Sequence, residues 1–197
     1  MNKVLLLGLL GSLALPASAA LKEGDTAPGF KIPASFAGKA TSFSLEENLK
    51  KGPVVVYFYP SAYTGGCNLQ AHTFSVNSDK FATAGATVIG VSLDSIERLN
   101  KFSADPEYCA GKLAVGSDSD GTVAKAFDLK VRDAAEGKLD TRGEAITHGF
   151  AERTTFVVTP DGKIAATISG LAPAENVNKA LETVQKLASE KSAAKKS

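Results

Sequence analysis

Residues 54–70 read VVVYFYPSAYTGGCNLQ, and the change of pattern inside them decides the fold. Val54, Val55, Val56, Tyr57, Phe58 and Tyr59 are β-branched or aromatic without polar alternation, the composition of a strand buried on both faces in the middle of a sheet. Pro60 stops that strand, and Ser61, Thr64, Gly65 and Gly66 make a tight polar turn. From Cys67 onward the apolar residues Leu69, Phe74, Val76 and Phe81 follow helical spacing. Cys67 therefore falls in the first turn of a helix, where unpaired N–H groups and the positive dipole end favour a thiolate. Thiolate is the reactive form, so Cys67 reads as a nucleophile, against the plainer reading of a small buried hydrophobe.

Outward from this stretch, strands and helices alternate. The N-terminal polar stretch with Pro28, Pro33 and Gly38 carries no strand signal, and residues 46–51 form a short helical turn before the buried strand. The helix that begins at Cys67 is expected to end near Gly85. Residues 87–93, TVIGVSL, read as a second apolar strand, and residues 95–102 as a helix with Ser95 as N-cap. A short strand over 113–115, a helix over 122–127 and an irregular segment over 131–149 come next. Residues 153–158 and 163–168 are strands joined by Thr159, Pro160, Asp161 and Gly162, a hairpin signature. A last helix over 173–187 carries Val177, Leu181, Val184 and Leu187 on one stripe. This order predicts an α/β protein: a central mixed β-sheet flanked by helices on both faces, in a thioredoxin-like fold.

The ends of the chain do not belong to that domain. Residues 1–19 hold one cation, Lys3, an apolar run from Val4 to Leu15, then Pro16 and small residues, the pattern of a secretory signal peptide cut after Ala19 or one residue later. The run is shorter than the roughly 20 apolar residues of a membrane span. Export is the expectation, with the periplasm as compartment. Removal of Lys3 takes the formal net charge from +1 to 0, which gives no electrostatic case for nucleic acid or a membrane surface. Residues 20–188 make one domain of ordinary size. Residues 189–197, polar and basic with little apolar content, are expected to be disordered. Two cysteines are too few for a disulfide scaffold, and in an oxidising compartment such a pair either bonds permanently or cycles with a reductant.

Pro60, Thr64 and Cys67 form P-x-x-x-T-x-x-C after a strand ending in YFYP. This resembles the active-site signature of the peroxiredoxins, the alkyl hydroperoxide reductase/thiol-specific antioxidant superfamily, and is closest to the bacterioferritin-comigratory or peroxiredoxin Q branch. The resemblance runs from about residue 24 to 187. It implies the thioredoxin-like fold and a thiol-dependent peroxidase that reduces hydrogen peroxide and organic hydroperoxides. By the same resemblance, Arg153 in R-x-T-F supplies the positive charge, the Thr64 hydroxyl holds peroxide and sulfur, and Pro60 shields the site from water. After attack Cys67 becomes a sulfenic acid that condenses with a second thiol. Cys109, in the loose-looking DPEYCAG, is the one other thiol in the chain. It is expected to be the resolving cysteine of an atypical two-cysteine enzyme; the alternatives are a buried structural thiol or a permanent disulfide with Cys67. Many members of the branch carry the resolving cysteine five residues after the first, where this chain has His72, and Gly65–Gly66 replaces the commoner proline–glycine.

Gln70 either hydrogen-bonds Arg153 or lies on a solvated helix face. His72 and His148 lack metal-ligand spacing and read as surface residues, so neither metal nor cofactor is expected, and no phosphate loop or dinucleotide fingerprint occurs. Electrons must come from a thioredoxin-like protein or a small thiol, and the enzyme is expected to be a monomer or weak dimer. Two other classes remain. A thioredoxin-type thiol–disulfide oxidoreductase needs C-x-x-C where this chain has Thr64-Gly-Gly-Cys67. A non-catalytic binding module would use Cys67–Cys109 as a staple.

Overall fold

In the computed structural model, residues 20–134 and 136–194 are described; the expected leader and the last three residues of the tail lie outside them. The elements in chain order are β1 (Lys31–Phe36), β2 (Lys39–Ser44), α1 (Leu45–Leu49), β3 (Val54–Phe58), α2 (Gly65–Val76), α3 (Ser78–Thr83) and β4 (Thr87–Ser92). They continue with α4 (Ile96–Ala104), β5 (Ala114–Ser117), α5 (Thr122–Ala126), β6 (Val131–Arg132), β7 (Phe150–Ala151), β8 (Thr154–Val158), β9 (Ile164–Ser169) and α6 (Pro173–Ala194).

Among the described residues, seven strands form one mixed sheet in the order β2-β1-β5-β4-β3-β8-β9. The apolar run places β3 inside it, parallel to β4 and antiparallel to β8. Every β3 residue is buried because each face meets its own core. Val55 and Tyr57 point to a cluster with residues of α2, α3, α4 and α6; Val54, Val56 and Phe58 point to a second cluster with residues of α1 and α5. The sheet covered on both faces is thus the one its sequence leads one to expect.

In the main sheet and its helices the structure departs from the sequence reading in three places. Residues 31–44 form a hairpin, turned through Ala37 and Gly38 at positive φ, where no strand signal was legible. Pro33 is accommodated because β1 pairs with β5 only from Ala34 onward, so its missing N–H interrupts no bond to that neighbour. The strand is anchored to α4 by a buried bond of 2.8 Å between the Ser35 and Ser103 hydroxyls. Secondly, the helix from Cys67 breaks at Asn77, which caps α2 and opens α3. Thirdly, α6 runs to Ala194, so residues 189–194 are not a structureless tail. They are exposed, as their composition demands, yet Ala, Lys and Glu extend a helix already nucleated by the packed stripe of Val177, Leu181 and Val184.

Candidate active site

The site lies at the carboxyl end of β3, where α/β sheets commonly place ligands. The register Phe58↔Thr154 between β3 and β8 brings Arg153, one residue before β8, beside the turn that follows β3. Tyr63 in that turn adopts the left-handed conformation at φ 59°, costly for a bulky residue and sustained only by its surroundings. The guanidinium carbon of Arg142 lies 3.3 Å from the Tyr63 ring centroid, and Phe102 and Tyr108 meet the ring edge-on at 5.0 and 5.8 Å. The Tyr63 carbonyl accepts from both the backbone N–H and the hydroxyl of Thr141, each at 2.8 Å.

Thr64 is the N-cap of α2 through its backbone: its carbonyl accepts from Cys67 N at 2.9 Å and Asn68 N at 2.8 Å. Its hydroxyl donates to Ser61 O at 2.8 Å. Cys67 accordingly stands in the first turn of α2, with only 2% of its surface exposed. Arg153 Nη2 donates to Cys67 Sγ at 3.2 Å. The other terminal nitrogen, Nη1, donates to Gln70 Oε1. Gln70 is buried, and of the two readings open for it the structure realises the bond to Arg153. A further layer holds Gln70: its Nε2 donates to Asn176 Oδ1 at 3.1 Å, the Thr155 hydroxyl donates to the same oxygen at 2.6 Å, and Asn176 Nδ2 donates to Ile168 O at 3.0 Å. Gly66 matters here because a Cβ would stand 3.3 Å from Arg153 Nη2 and 3.5 Å from Pro173 Cγ. Pro60 is half-buried at the start of the turn.

Cys109 is a free thiol like Cys67, and wholly buried. Its segment is not the loose one expected from DPEYCAG. Ala110 N donates to Asp105 O at 2.8 Å and Gly111 N to Ser103 O at 2.9 Å, while α2 contributes Ser75 Oγ to Cys109 O at 3.0 Å and a bond of 2.9 Å between His72 Nδ1 and Glu107 O. The glycine and proline that make the sequence look loose instead allow a closed turn. Burial, reinforced by the charge of Asp105, pushes the Cys109 thiol well above the ordinary cysteine range.

His72 is exposed, as expected, but His148 is not a surface residue. It packs under the turn beside Asp94, with Nε2 2.8 Å from Asp94 Oδ1. Asp94, Arg98, Asp140 and Arg142 form a cluster of ion pairs next to Tyr63, with Arg98 Nη2 2.6 Å from Asp140 Oδ2 and Arg142 Nη2 3.1 Å from the same oxygen. Nothing in the sequence reading singled out Asp94, Asn176 or Tyr63. Asp94 directly follows an apolar strand, a weak signal; Asn176 is indistinguishable by pattern from the neighbouring Asn178.

Comparison with known proteins places this geometry in context. The sequence model of the AhpC/TSA family matches residues 24–167. A putative peroxiredoxin of Mycobacterium tuberculosis is 33% identical over 170 residues, covering 86% of this chain and 99% of that protein. Peroxiredoxin Bcp of Escherichia coli is 34% identical over 144 residues, 73% of this chain and 83% of that one. Among solved structures, peroxidoxin BcpB of M. tuberculosis superposes with a TM-score of 0.69 at 32% identity, over 84% of this chain and 97% of its own. Peroxiredoxin Q of Xanthomonas campestris does so with a TM-score of 0.65 at 27% identity, over 86% and 98%. The fold is the thioredoxin-like one that these structures share. Matched by the family model over most of its domain, and a third identical to a relative that it spans almost end to end, the chain belongs to the AhpC/TSA family.

Proposed function

We propose that this protein is a thiol-dependent peroxidase that reduces hydrogen peroxide and organic hydroperoxides at Cys67. The observation that carries the reading is the 3.2 Å bond from Arg153 Nη2 to Cys67 Sγ. A fixed cation on the sulfur stabilises negative charge there, and a planar guanidinium retains its charge at any physiological pH. The thiolate attacks one oxygen of the peroxide; an S–O bond forms, the O–O bond breaks, and the leaving oxygen takes a proton and departs as water or alcohol. Charge passes from sulfur to the leaving oxygen, so donors already aimed at that region lower the barrier. The Thr64 hydroxyl, its own hydrogen directed at Ser61 O, serves as acceptor for the peroxide O–H, and Pro60 keeps water from the turn.

The resulting Cys67 sulfenic acid condenses with the Cys109 thiol, forming the disulfide and releasing water. Sulfurs must approach to about 2.05 Å with Cα atoms within roughly 7 Å. Both cysteines are buried on hydrogen-bonded backbone, so this atypical two-cysteine step requires local opening of the turn before α2 and of the segment around Cys109. A thioredoxin-like protein or a small thiol then returns the electrons. The burial of Cys109 favours a second reading, in which an external thiol resolves the sulfenic acid directly.

Mass spectrometry after one equivalent of peroxide tests the scheme. A Cys67–Cys109 bond within one chain is the expected product. An intermolecular Cys67–Cys67 bond, or free Cys109 beside a lasting sulfenic acid, makes this a one-cysteine enzyme. Failure of the reduced protein to consume peroxide removes the peroxidase reading and leaves thiol–disulfide exchange or a stapled binding module. We place the protein in the periplasm on the strength of residues 1–19; a mature N-terminus at Ala20 or Leu21 in an exported fraction is the corresponding check. Among the described residues no helix is long and apolar enough to cross a membrane.

A further inference from the structure

The two ring nitrogens of His148 both face acceptors. Nδ1 lies 2.8 Å from the Gly149 carbonyl oxygen, which can only accept, and Nε2 lies 2.8 Å from Asp94 Oδ1. A neutral imidazole has one N–H and one bare nitrogen, so it satisfies one of these oxygens and turns a lone pair on the other. A neutral ring protonated at Nδ1 has the Ser61 hydroxyl, 3.3 Å from Nε2, as its one donor there, and leaves Asp94 Oδ1 facing the Nε2 lone pair; only the imidazolium satisfies both oxygens. Asp94, fully buried, is in turn the anchor of the turn before the nucleophile: Oδ2 accepts from Ala62 N at 2.8 Å and from the Ser92 hydroxyl at 2.7 Å, and Oδ1 from the Ser61 hydroxyl at 3.1 Å. The Ser61 carbonyl takes the Thr64 hydroxyl, and the Thr64 carbonyl takes the Cys67 N–H. A continuous run of bonds thus leads from the His148 ring to the sulfur's own backbone, and none of it passes through Arg153.

We infer that the partly buried His148 imidazolium and the wholly buried Asp94 carboxylate form a positioning pair that fixes residues 61–64, and through them aims Thr64 and Cys67 at the peroxide. Deprotonation of His148 then loosens the turn without touching the reacting atoms. This deepens the peroxidase reading and rests on it for its catalytic half alone; the hold on the turn stands by itself.

The charged groups facing His148 come from several elements. Asp94 follows β4, and Arg98 of α4 pairs with it, its Nε 2.8 Å from Oδ1. Asp140, Arg142 and Glu144 lie beyond Arg98 in the loop before β7, with Arg98 Nη1 3.3 Å from Glu144 Oε2. The Tyr59 ring, at the end of β3, is buried nearby and its phenol is neutral, raised well above its ordinary range by burial. Burial works against the proton on His148 and Arg98 repels it, but the bond and charge of Asp94 outweigh both and hold the histidine above its ordinary value. Because Arg98 remains on Asp94 when His148 loses its proton, the turn slackens but is not released. A cleft of about 260 Å³ bordered by Ser95, Arg98, Thr147 and His148 gives protons a path from solvent.

The test follows the reduced protein from pH 6 to pH 10, alongside His148→Gln and Asp94→Asn. Nitrogen NMR of the His148 ring is expected to show both nitrogens protonated at pH 7. Hydrogen exchange at the Ala62 amide, corrected for its intrinsic pH dependence, should accelerate severalfold as the ring titrates, and the second-order rate with hydrogen peroxide should fall by roughly tenfold over the same interval, within the range set by small misplacements of reacting groups. In His148→Gln the Ala62 amide should exchange fast at every pH and the alkaline fall should vanish. A bare ring nitrogen at pH 7, Ala62 exchange indifferent to the ring's titration, or an unchanged alkaline fall in His148→Gln each overturns the inference. If the wild type consumes no peroxide, the peroxidase reading fails, while the NMR and Ala62 exchange still decide whether the pair holds the turn. Asp94→Asn, which keeps the shape and removes the charge, should return His148 to an ordinary titration; a ring that stays protonated there also overturns it.

Discussion

The hydroxyl of Ser75 donates to the carbonyl oxygen of Cys109 at 3.0 Å, so the helix that presents Cys67 in its first turn also grips the backbone of the other cysteine about two turns later. Both residues are buried, and any approach of the two sulfurs that displaces the Cys109 backbone has to break this bond. Ser75→Ala should cost about 1 kcal/mol of folding stability, the net worth of one hydrogen bond, since Cys109 O keeps its bond from Lys112 N. If the disulfide forms within one chain, it should form up to about fivefold faster in this variant, the factor that 1 kcal/mol allows. Quenched-flow mass spectrometry reads that rate; slower closure would mean that Ser75 helps the encounter and does not resist it.

Arg153 divides its terminal nitrogens between Cys67 and Gln70. An ammonium is a single point of charge and cannot serve both in fixed geometry. Arg153→Lys should lower the rate of the first peroxide turnover at least tenfold, about 1.4 kcal/mol of barrier, with little change in the melting temperature. Turnover within twofold of wild type would show that charge alone suffices and that the fork has no role.

Asn176 accepts from Gln70 and Thr155 and donates to Ile168, so its loss strands several buried polar groups together. Asn176→Ala should destabilise the fold by about 1–3 kcal/mol in denaturant titration, the cost of leaving such groups unpaired. It should also slow peroxide reduction, because Gln70 no longer has a fixed orientation from which to hold Arg153. A stability loss with unaltered rate would separate Asn176 from the site.

Acid stability should depend on Asp140. Burial pushes its carboxyl up, but the backbone N–H groups of Glu144 and Arg142 and the guanidinium groups of Arg98 and Arg142 more than offset this and bring it down to about 2. A carboxyl lowered on folding contributes stability that is complete above its unfolded value, about 3.9, and is lost as pH falls through the folded value. Unfolding free energy should therefore drop between pH 4 and pH 2, and Asp140→Asn should show a shallower drop in that window with lower stability at pH 7. Parallel acid limbs in the two proteins would assign the loss to other carboxylates.

What could be read from the chain alone was local. An unbroken apolar run fixes β3 as a central strand whatever surrounds it, and a proline, two glycines and a return to helical spacing put Cys67 in the first turn of α2. The hairpin signature located β8 and β9. Weakly patterned segments gave no such signal. β1 and β2 are held by pairing and by a serine–serine bond to α4, neither of which leaves an apolar period in sequence, and the continuation of α6 beyond Leu187 rests on helix propensity where a lack of packing suggested disorder.

Sequence by itself thus determined the type of the central elements and the place of the nucleophile, because side-chain periodicity and turn chemistry act over a few neighbouring residues. Only the tertiary structure decided what surrounds the sulfur. The strand register sets Arg153 beside Cys67 across 86 positions, while the packing of helices and loops on the sheet carries Gln70 and Asn176 in behind it, closes the Cys109 segment into the core, and brings His148 under Asp94 from 54 residues away. These are interactions between polar groups that only burial makes strong, and burial is a property of the assembled sheet and helices; no residue carries it in its own identity.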